Sequence, residues 1–278
     1  MKIAFASIKG GTGKTTLALM FAKAAGKAVF ADMCSGGEPF MLLKPEIEKE
    51  FNFYRTMPVI DLEKCTFCET CARECPYMAI FVNEEKRIHE LYPEICRSCG
   101  VCEEVCPEEG AIIEEEQKKG IIRKGRKDGI EFIDGILYGR QYSAAPMIKE
   151  LNEYAIRSRS LTIYDSPSGS SYELSLAVEN ADFVIIPAVP DIPGKAALAR
   201  TVEILRDLHK NMAIIINKTV GGSEIIRNYA ELEEIPILGE IPFDHEIEIM
   251  NARQEIPFEK YNEKFKDIIE NIPDELLI

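Results

Sequence analysis

The chain has 278 residues, 46% of them apolar and 29% charged, and carries a net charge of −14. Such a charge repels a phosphate backbone and argues against nucleic-acid binding, while no apolar run nears the roughly 18 residues of a membrane span. Nine cysteines, behind an N-terminus too short for a signal h-region, are expected in a cytoplasmic protein whose thiols bind metal rather than form disulfides.

Residues 2–8 read as a buried strand and 14–25 as a helix. Between them lies Lys9-Gly10-Gly11-Thr12-Gly13-Lys14-Thr15-Thr16. Residues 27–32 form a second short strand ending in Asp32. Residues 33–57 are expected to be irregular, with Gly36, Gly37 and Pro39 as breakers.

Composition then shifts. Eight cysteines fall within 58–113, in two copies of one pattern: Cys65, Cys68, Cys71, Cys75-Pro76 and Cys96, Cys99, Cys102, Cys106-Pro107. Fifty-odd residues cannot bury much apolar surface, so bound metal is expected to supply the missing folding energy. This segment is therefore assigned as an inserted domain, with 1–57 and 114–278 forming a discontinuous second one.

Apolar runs around Asp128-Gly129 and Asp134-Gly135 suggest hairpins. The basic residues there (Lys118, Lys119, Arg123, Lys124, Arg126, Lys127) read as a solvated hairpin face, with docking of an acidic redox partner as the alternative. A helix follows Pro146, with Met147, Ile148, Leu151 and Ala155 on one face. Strands at 161–164, 183–187, 212–216 and 236–241 then alternate with helices at 171–180, 194–209 and 223–231. That alternation predicts an α/β fold with a doubly wound, mostly parallel sheet. The last helix, 258–272, has an apolar stripe and an acidic polar face, which suits packing on the sheet rather than an anionic membrane.

The loop chemistry is specific. Gly10, Gly11 and Gly13 let successive N–H groups point inward around a phosphate, and the helix that starts at Lys14 adds its partial positive charge. Lys14 suits the β/γ-phosphates, the Thr15 hydroxyl a Mg²⁺ ion, and Thr16 an α-phosphate.

Lys9, just before the glycine pair, resembles the deviant Walker A lysine of the MinD/ParA (CobQ/CobB/MinD/ParA, Mrp-like) P-loop ATPases, a group that shares its fold with the nitrogenase iron protein. The resemblance covers nearly the whole chain. It implies ATP or ADP with Mg²⁺, and a homodimer in which Lys9 reaches the partner's phosphates. Asp165, ending the strand Leu161–Asp165, matches the Walker B acid, and Asp165-Ser166-Pro167-Ser168-Gly169 matches switch II, whose glycine N–H senses a γ-phosphate. Asn217 matches the residue that reads the adenine edge, and Pro242-Phe243-Asp244 the segment flanking the base. The family usually carries two acids one residue apart after the second strand. Here Asp32 is followed by Cys34. Either Asp32 takes over or hydrolysis is slow and partner-gated. Cys34 itself is read as a small packed thiol, with a metal- or redox-sensitive thiol beside the switch as the sharper alternative.

The cysteine runs resemble a two-cluster bacterial ferredoxin of α+β type, in which the remote cysteine of each run serves the other cluster. That resemblance implies two [4Fe–4S] clusters, one on Cys65, Cys68, Cys71 and Cys106, the other on Cys96, Cys99, Cys102 and Cys75. Two structural zinc sites are the rival reading, although zinc needs neither the third close cysteine nor the following proline. Surrounding glutamates would keep the potentials low. His89, His209 and His245 have no ligand-like neighbours in sequence and are expected to be solvated or core residues.

Joined together, these readings lead to the expectation of an ATPase that couples nucleotide state to electron transfer through two clusters to a redox partner. The alternative is a metallocofactor assembly or carrier ATPase with an assembly partner. A MinD-type positioning ATPase stands third.

Overall fold

In the computed structural model the described residues are 1–139, 143–158, 160–253, 255 and 258–272. They divide into two compact units. The first comprises Met1–Phe51, Ile122–Ile136 and Ala144–Ile278; the second comprises Asn52–Ile121 and Leu137–Ser143.

The chain starts with β1 (Lys2–Phe5), α1 (Lys14–Ala25), β2 (Ala28–Asp32), α2 (Glu38–Leu43) and β3 (Glu46–Ile60). The cysteine-rich segment contributes α3 (Thr70–Glu74), β4 (Ile80–Asn83), β5 (Ile88–Leu91) and α4 (Val101–Glu104). Next come β6 (Ile112–Lys127), β7 (Ile130–Leu137), α5 (Ala145–Ala155), β8 (Leu161–Asp165) and α6 (Ser171–Val178). The rest is β9 (Phe183–Ala188), α7 (Ile192–Asp207), β10 (Asn211–Thr219), α8 (Glu224–Leu232), β11 (Ile237–Pro242), α9 (His245–Ala252) and α10 (Phe258–Glu270).

The large sheet has the order β11-β10-β9-β1-β8-β2-β7-β6-β3. Strands β10, β9, β1, β8, β2 and β7 pair in parallel with their neighbours in that run. Every residue of β2 and β9 is buried, as expected of parallel strands covered on both faces. The core on the α1 side joins Phe5, Leu17, Phe21 and Ile215 to Phe265 and Ile268 of α10. The last helix therefore packs as a core element, and among the described residues no helix is long and apolar enough to cross a membrane.

Three expectations need correction. Residues 33–57 are not irregular but hold α2 and most of β3. The charged run Glu46-Ile-Glu-Lys-Glu hid the strand; β3 ends the sheet order and its first five residues are exposed. Only Asp128-Gly129 makes a hairpin turn, with φ of 51° and 84° as a type I′ turn needs. Asp134-Gly135 lies inside β7, because Asp134 is fully buried and takes the Nε and Nη2 donors of Arg123. Arg123, also stacked on Phe40 at 4.3 Å, is thus no solvated face residue. Burial raises the Asp134 carboxyl while Arg123 pulls it back down. Helix α9 was not expected at all.

In the second unit β4 and β5 form a two-stranded antiparallel hairpin. Its apolar clusters are small: Phe67, Ile80, Val82 and Ile112 with Cys71 and Cys102, and Met57 and Ala79 with Cys96.

Candidate functional site

The loop after β1 curls as its glycines require. Gly11 and Gly13 have φ of 76° and 93°, and a Cβ on Gly13 would stand 2.4 Å from Asn217 Nδ2. That amide donates to the Thr12 carbonyl at 2.8 Å, so Asn217 props the loop from the end of β10. Beside the loop opens a cavity of about 520 Å³, within the range of small-ligand sites. Gly10, Gly11, Gly13, Lys14, Thr15, Thr16, Asn217, Pro242 and Phe243 line it, together with Cys34 and Ser166–Ser168. Lys14 is buried and its Nζ donates to the Lys9 carbonyl at 3.2 Å. Burial lowers its pKa against the pull of Asp165 and Cys34.

Lys9, Thr12, Asp32, Asp165 and Gly169 do not line the cavity. Thr12 is buried in the loop, its hydroxyl donating to the Lys9 carbonyl at 3.4 Å. Lys9 is half-buried at the start of the loop. Asp32 and Asp165 sit opposite each other at the ends of paired β2 and β8. Asp165 Oδ2 accepts the Thr15 hydroxyl at 2.5 Å, so a hydroxyl and a carboxylate converge as a Mg²⁺ shell needs. Gly169, at φ 91°, donates its N–H to the Ile8 carbonyl at 2.8 Å, tying the segment after β8 to the stretch between β1 and the glycine loop. Cys34 lies among these groups. Its N–H donates to Asp32 Oδ1 at 2.8 Å, and its Sγ is 3.5 Å from the Ser166 carbonyl. Burial, with Asp165 and Asp32 beside it, pushes the thiol well above its usual range.

The eight remaining cysteines are free thiols and fall into two groups within the second unit. Cys65, Cys68, Cys71 and Cys106 line one small cavity; Cys75, Cys96, Cys99 and Cys102 line the other. The two loops repeat each other's backbone at an offset of 31 residues. Phe67 and Ser98 have φ of 58° and 55°, and Glu69 and Gly100 have 62° and 78°. Phe67 and Ser98 each donate their N–H at 3.4 Å to Sγ of the cysteine two residues before. Burial, then crowding by Cys106, Cys65 and Cys68, pushes Cys71 up to about 11, and burial does the same to Cys102.

The donor set can be tested against the two metals considered. Around one zinc ion at about 2.3 Å, thiolates stand about 3.8 Å apart. Among the described residues no three thiols of either group lie within 4.8 Å of one another. Four thiols per group with backbone N–H donors to sulfur suit an iron–sulfur cube.

Two residues here escaped the sequence reading. His89 has the ligand-like company it was expected to lack: Nδ1 is 3.3 Å from Cys65 Sγ and Nε2 3.7 Å from Cys71 Sγ. The antiparallel β4–β5 hairpin swings residue 89 back onto the first group, which no local pattern announces. Arg55, on the unrecognised strand β3, is buried and donates to the Cys96 carbonyl and Ser98 Oγ, both at 3.0 Å.

Residues 3–258 match the CobQ/CobB/MinD/ParA nucleotide binding domain. No curated protein matches the chain in sequence. Among solved structures, the septum site-determining protein MinD of Pyrococcus horikoshii OT3, complexed with Mg-ADP, superposes with a TM-score of 0.56 at 16% identity, covering 99% of this chain and 96% of that one. A Borrelia burgdorferi B31 protein named for plasmid partition, bound to AMPPNP, gives 0.55 at 15%, over 97% and 96%. MinD in the MinC:MinD complex of Aquifex aeolicus gives 0.54 at 17%, over 98% and 94%. At these identities the likeness is one of fold.

These matches correct the functional expectation. The family model reports a nucleotide-binding domain and the solved structures share its fold, and neither carries any sign of an ATP-coupled electron carrier. The assembly or carrier alternative has no support from them either. Cysteine spacing reports what the thiols can hold; it does not report what the ATPase acts on.

Proposed function

Because this chain belongs to the CobQ/CobB/MinD/ParA nucleotide-binding family and is an ATPase, we propose that it works as a MinD/ParA-type positioning switch whose MgATP-bound homodimer engages a partner protein. The observation that carries this reading is the convergence of Thr15, Asp165, Lys14 and the Gly169 N–H on one phosphate-sized loop. Lys14 neutralises phosphate charge, Thr15 and the buried Asp165 hold magnesium, and Asn217, Pro242 and Phe243 enclose the base. The γ-phosphate competes with the Ile8 carbonyl for the Gly169 N–H, so switch II follows the nucleotide. Lys9 stays outside its own cavity and is left to serve the partner protomer's phosphates. MinC bound to MinD offers the precedent for a protein partner. The net charge of −14 favours a protein over nucleic acid or an anionic membrane.

The second unit, on this reading, is an inserted ferredoxin-like module with two resident [4Fe–4S] clusters, held by Cys65, Cys68, Cys71 and Cys106 and by Cys96, Cys99, Cys102 and Cys75. When bound, the clusters crosslink chain segments that have little apolar core of their own.

Light scattering of the full chain tests the switch. ATP should drive a dimer and ADP should not. Lys9→Ala should bind MgATP within about threefold of wild type yet remain monomeric. An ATP-independent oligomeric state, or a Lys9→Ala dimer, would refute the proposal.

A further inference from the structure

Donors of different hardness meet at the ends of β2 and β8. A carboxylate oxygen of Asp32, Cys34 Sγ and a carboxylate oxygen of Asp165 lie within 4.8 Å of one another, and among the described residues no other trio of His, Cys, Asp or Glu does. Asp32 and Asp165 are 1% and 0% exposed, and Cys34 is half-buried. The Cys34 Sγ to Asp165 Oδ2 distance is 3.9 Å. Sulfur and oxygen donors on one tetrahedral zinc-class ion stand about 3.5 Å apart, so small side-chain movements close the site.

The backbone already orients the set. Asp32 and Asp165 are register partners across the sheet, and the Cys34 N–H fixes one Asp32 oxygen at 2.8 Å. A divalent ion bound there releases the Cys34 proton to solvent as the S–metal bond replaces S–H. Magnesium is the wrong occupant for such a set. It demands octahedral oxygen donors, whereas a thiolate selects softer ions.

We propose that Asp32, Cys34 and Asp165 form a binding site for a thiophilic divalent cation of the zinc class, and that its occupation competes with loading of magnesium–nucleotide because Asp165 is common to both. The competition rests on the reading of Thr15 and Asp165 as the magnesium site; the cation site itself does not.

The test uses the full chain, purified anaerobically, as wild type and Cys34→Ser. Cadmium-113 NMR should show a resonance typical of one sulfur ligand in wild type, well separated from four-thiolate cadmium, and this resonance should vanish in Cys34→Ser. Its absence from wild type, or its persistence in Cys34→Ser, would overturn the site. Zinc should inhibit MgATP turnover in wild type, and the zinc concentration giving half inhibition should rise at least about tenfold in Cys34→Ser. Equal inhibition of both would overturn the competition. Direct MgATP binding is measured in parallel. If neither protein binds it, the magnesium-site reading falls and the competition with it, while the cadmium resonance still decides the cation site.

Discussion

The first unit buries whole strands and a helix stripe, with Phe5, Phe21, Phe30, Phe132, Phe183 and Phe265 all nearly inaccessible to solvent. The second unit buries only a handful of apolar side chains, and three of its cysteines, Cys71, Cys96 and Cys102, sit inside those same small clusters. In one unit the ligand site is laid over a core that stands without it. In the other the clustered cysteines are a good part of the core. The difference follows from size, because a small unit cannot bury enough apolar surface to offset chain entropy.

The largest effect should come from taking the thiols away. Anaerobically purified wild type should carry about eight irons, as two cubes require. The double variant Cys71→Ser, Cys102→Ser should lose that iron, and with it stability on the order of 10 kcal/mol for the second unit. Hydrogen exchange should then show Asn52–Ile121 unprotected while the strands of the first unit keep their protection. Retained protection across Asn52–Ile121 would break the comparison, since it would mean that the small unit folds on its apolar clusters alone.

The reverse test strikes the apolar core. Phe265 is fully buried on α10 against α1, so Phe265→Ala should cost the first unit about 3–5 kcal/mol. The iron content and visible spectrum of the second unit should stay as in wild type. A loss of colour at temperatures where the variant's first unit is still folded would show that the two units do not differ in the way described.

The same contrast governs what the amino-acid sequence reveals. Strands β2, β8 and β9 are legible because parallel strands covered on both faces are mostly apolar, with the acids Asp32 and Asp165 confined to the ends of β2 and β8. The phosphate loop is legible because its chemistry needs contiguous residues. The two cysteine groups are legible because each draws three of its four members from one short run of fixed spacing. Strand β3 is not, since its exposed half carries alternating charges that burial never had to exclude. Asp134-Gly135 mimics a turn, and only its ion pair with Arg123, eleven residues away, explains a carboxylate inside a strand. His89 lies 24 residues from Cys65, and their contact depends on hairpin register rather than on any local signal. The biological role is the least legible of all, because a fold and a nucleotide loop serve many different tasks.

A surface interaction should give the smallest effect and defines the lower bound of the comparison. Asp244, where β11 leads into α9, accepts from Lys260 Nζ and Tyr261 Oη, both at 2.7 Å, and so ties that corner to α10. These hydrogen bonds hold its carboxyl down at about 2, below the 3.8 of an unperturbed aspartate. A depressed acid stabilises the fold above its unfolded pKa and loses that contribution as the pH drops through the folded value. The difference in Tm between wild type and Asp244→Asn should therefore be constant from pH 7 to about 4 and shrink toward zero as the pH approaches about 2. It should be small throughout, since the Lys260 side chain is about half exposed and water and salt screen the pair. Comparing the two proteins at each pH cancels whatever acid does to the cysteine-rich unit. A difference that grew on acidification would mean that the carboxyl is not held by these donors. The α10 corner would then depend on Phe265 and its apolar neighbours alone, making the first unit still more core-driven than the contrast with the second already implies.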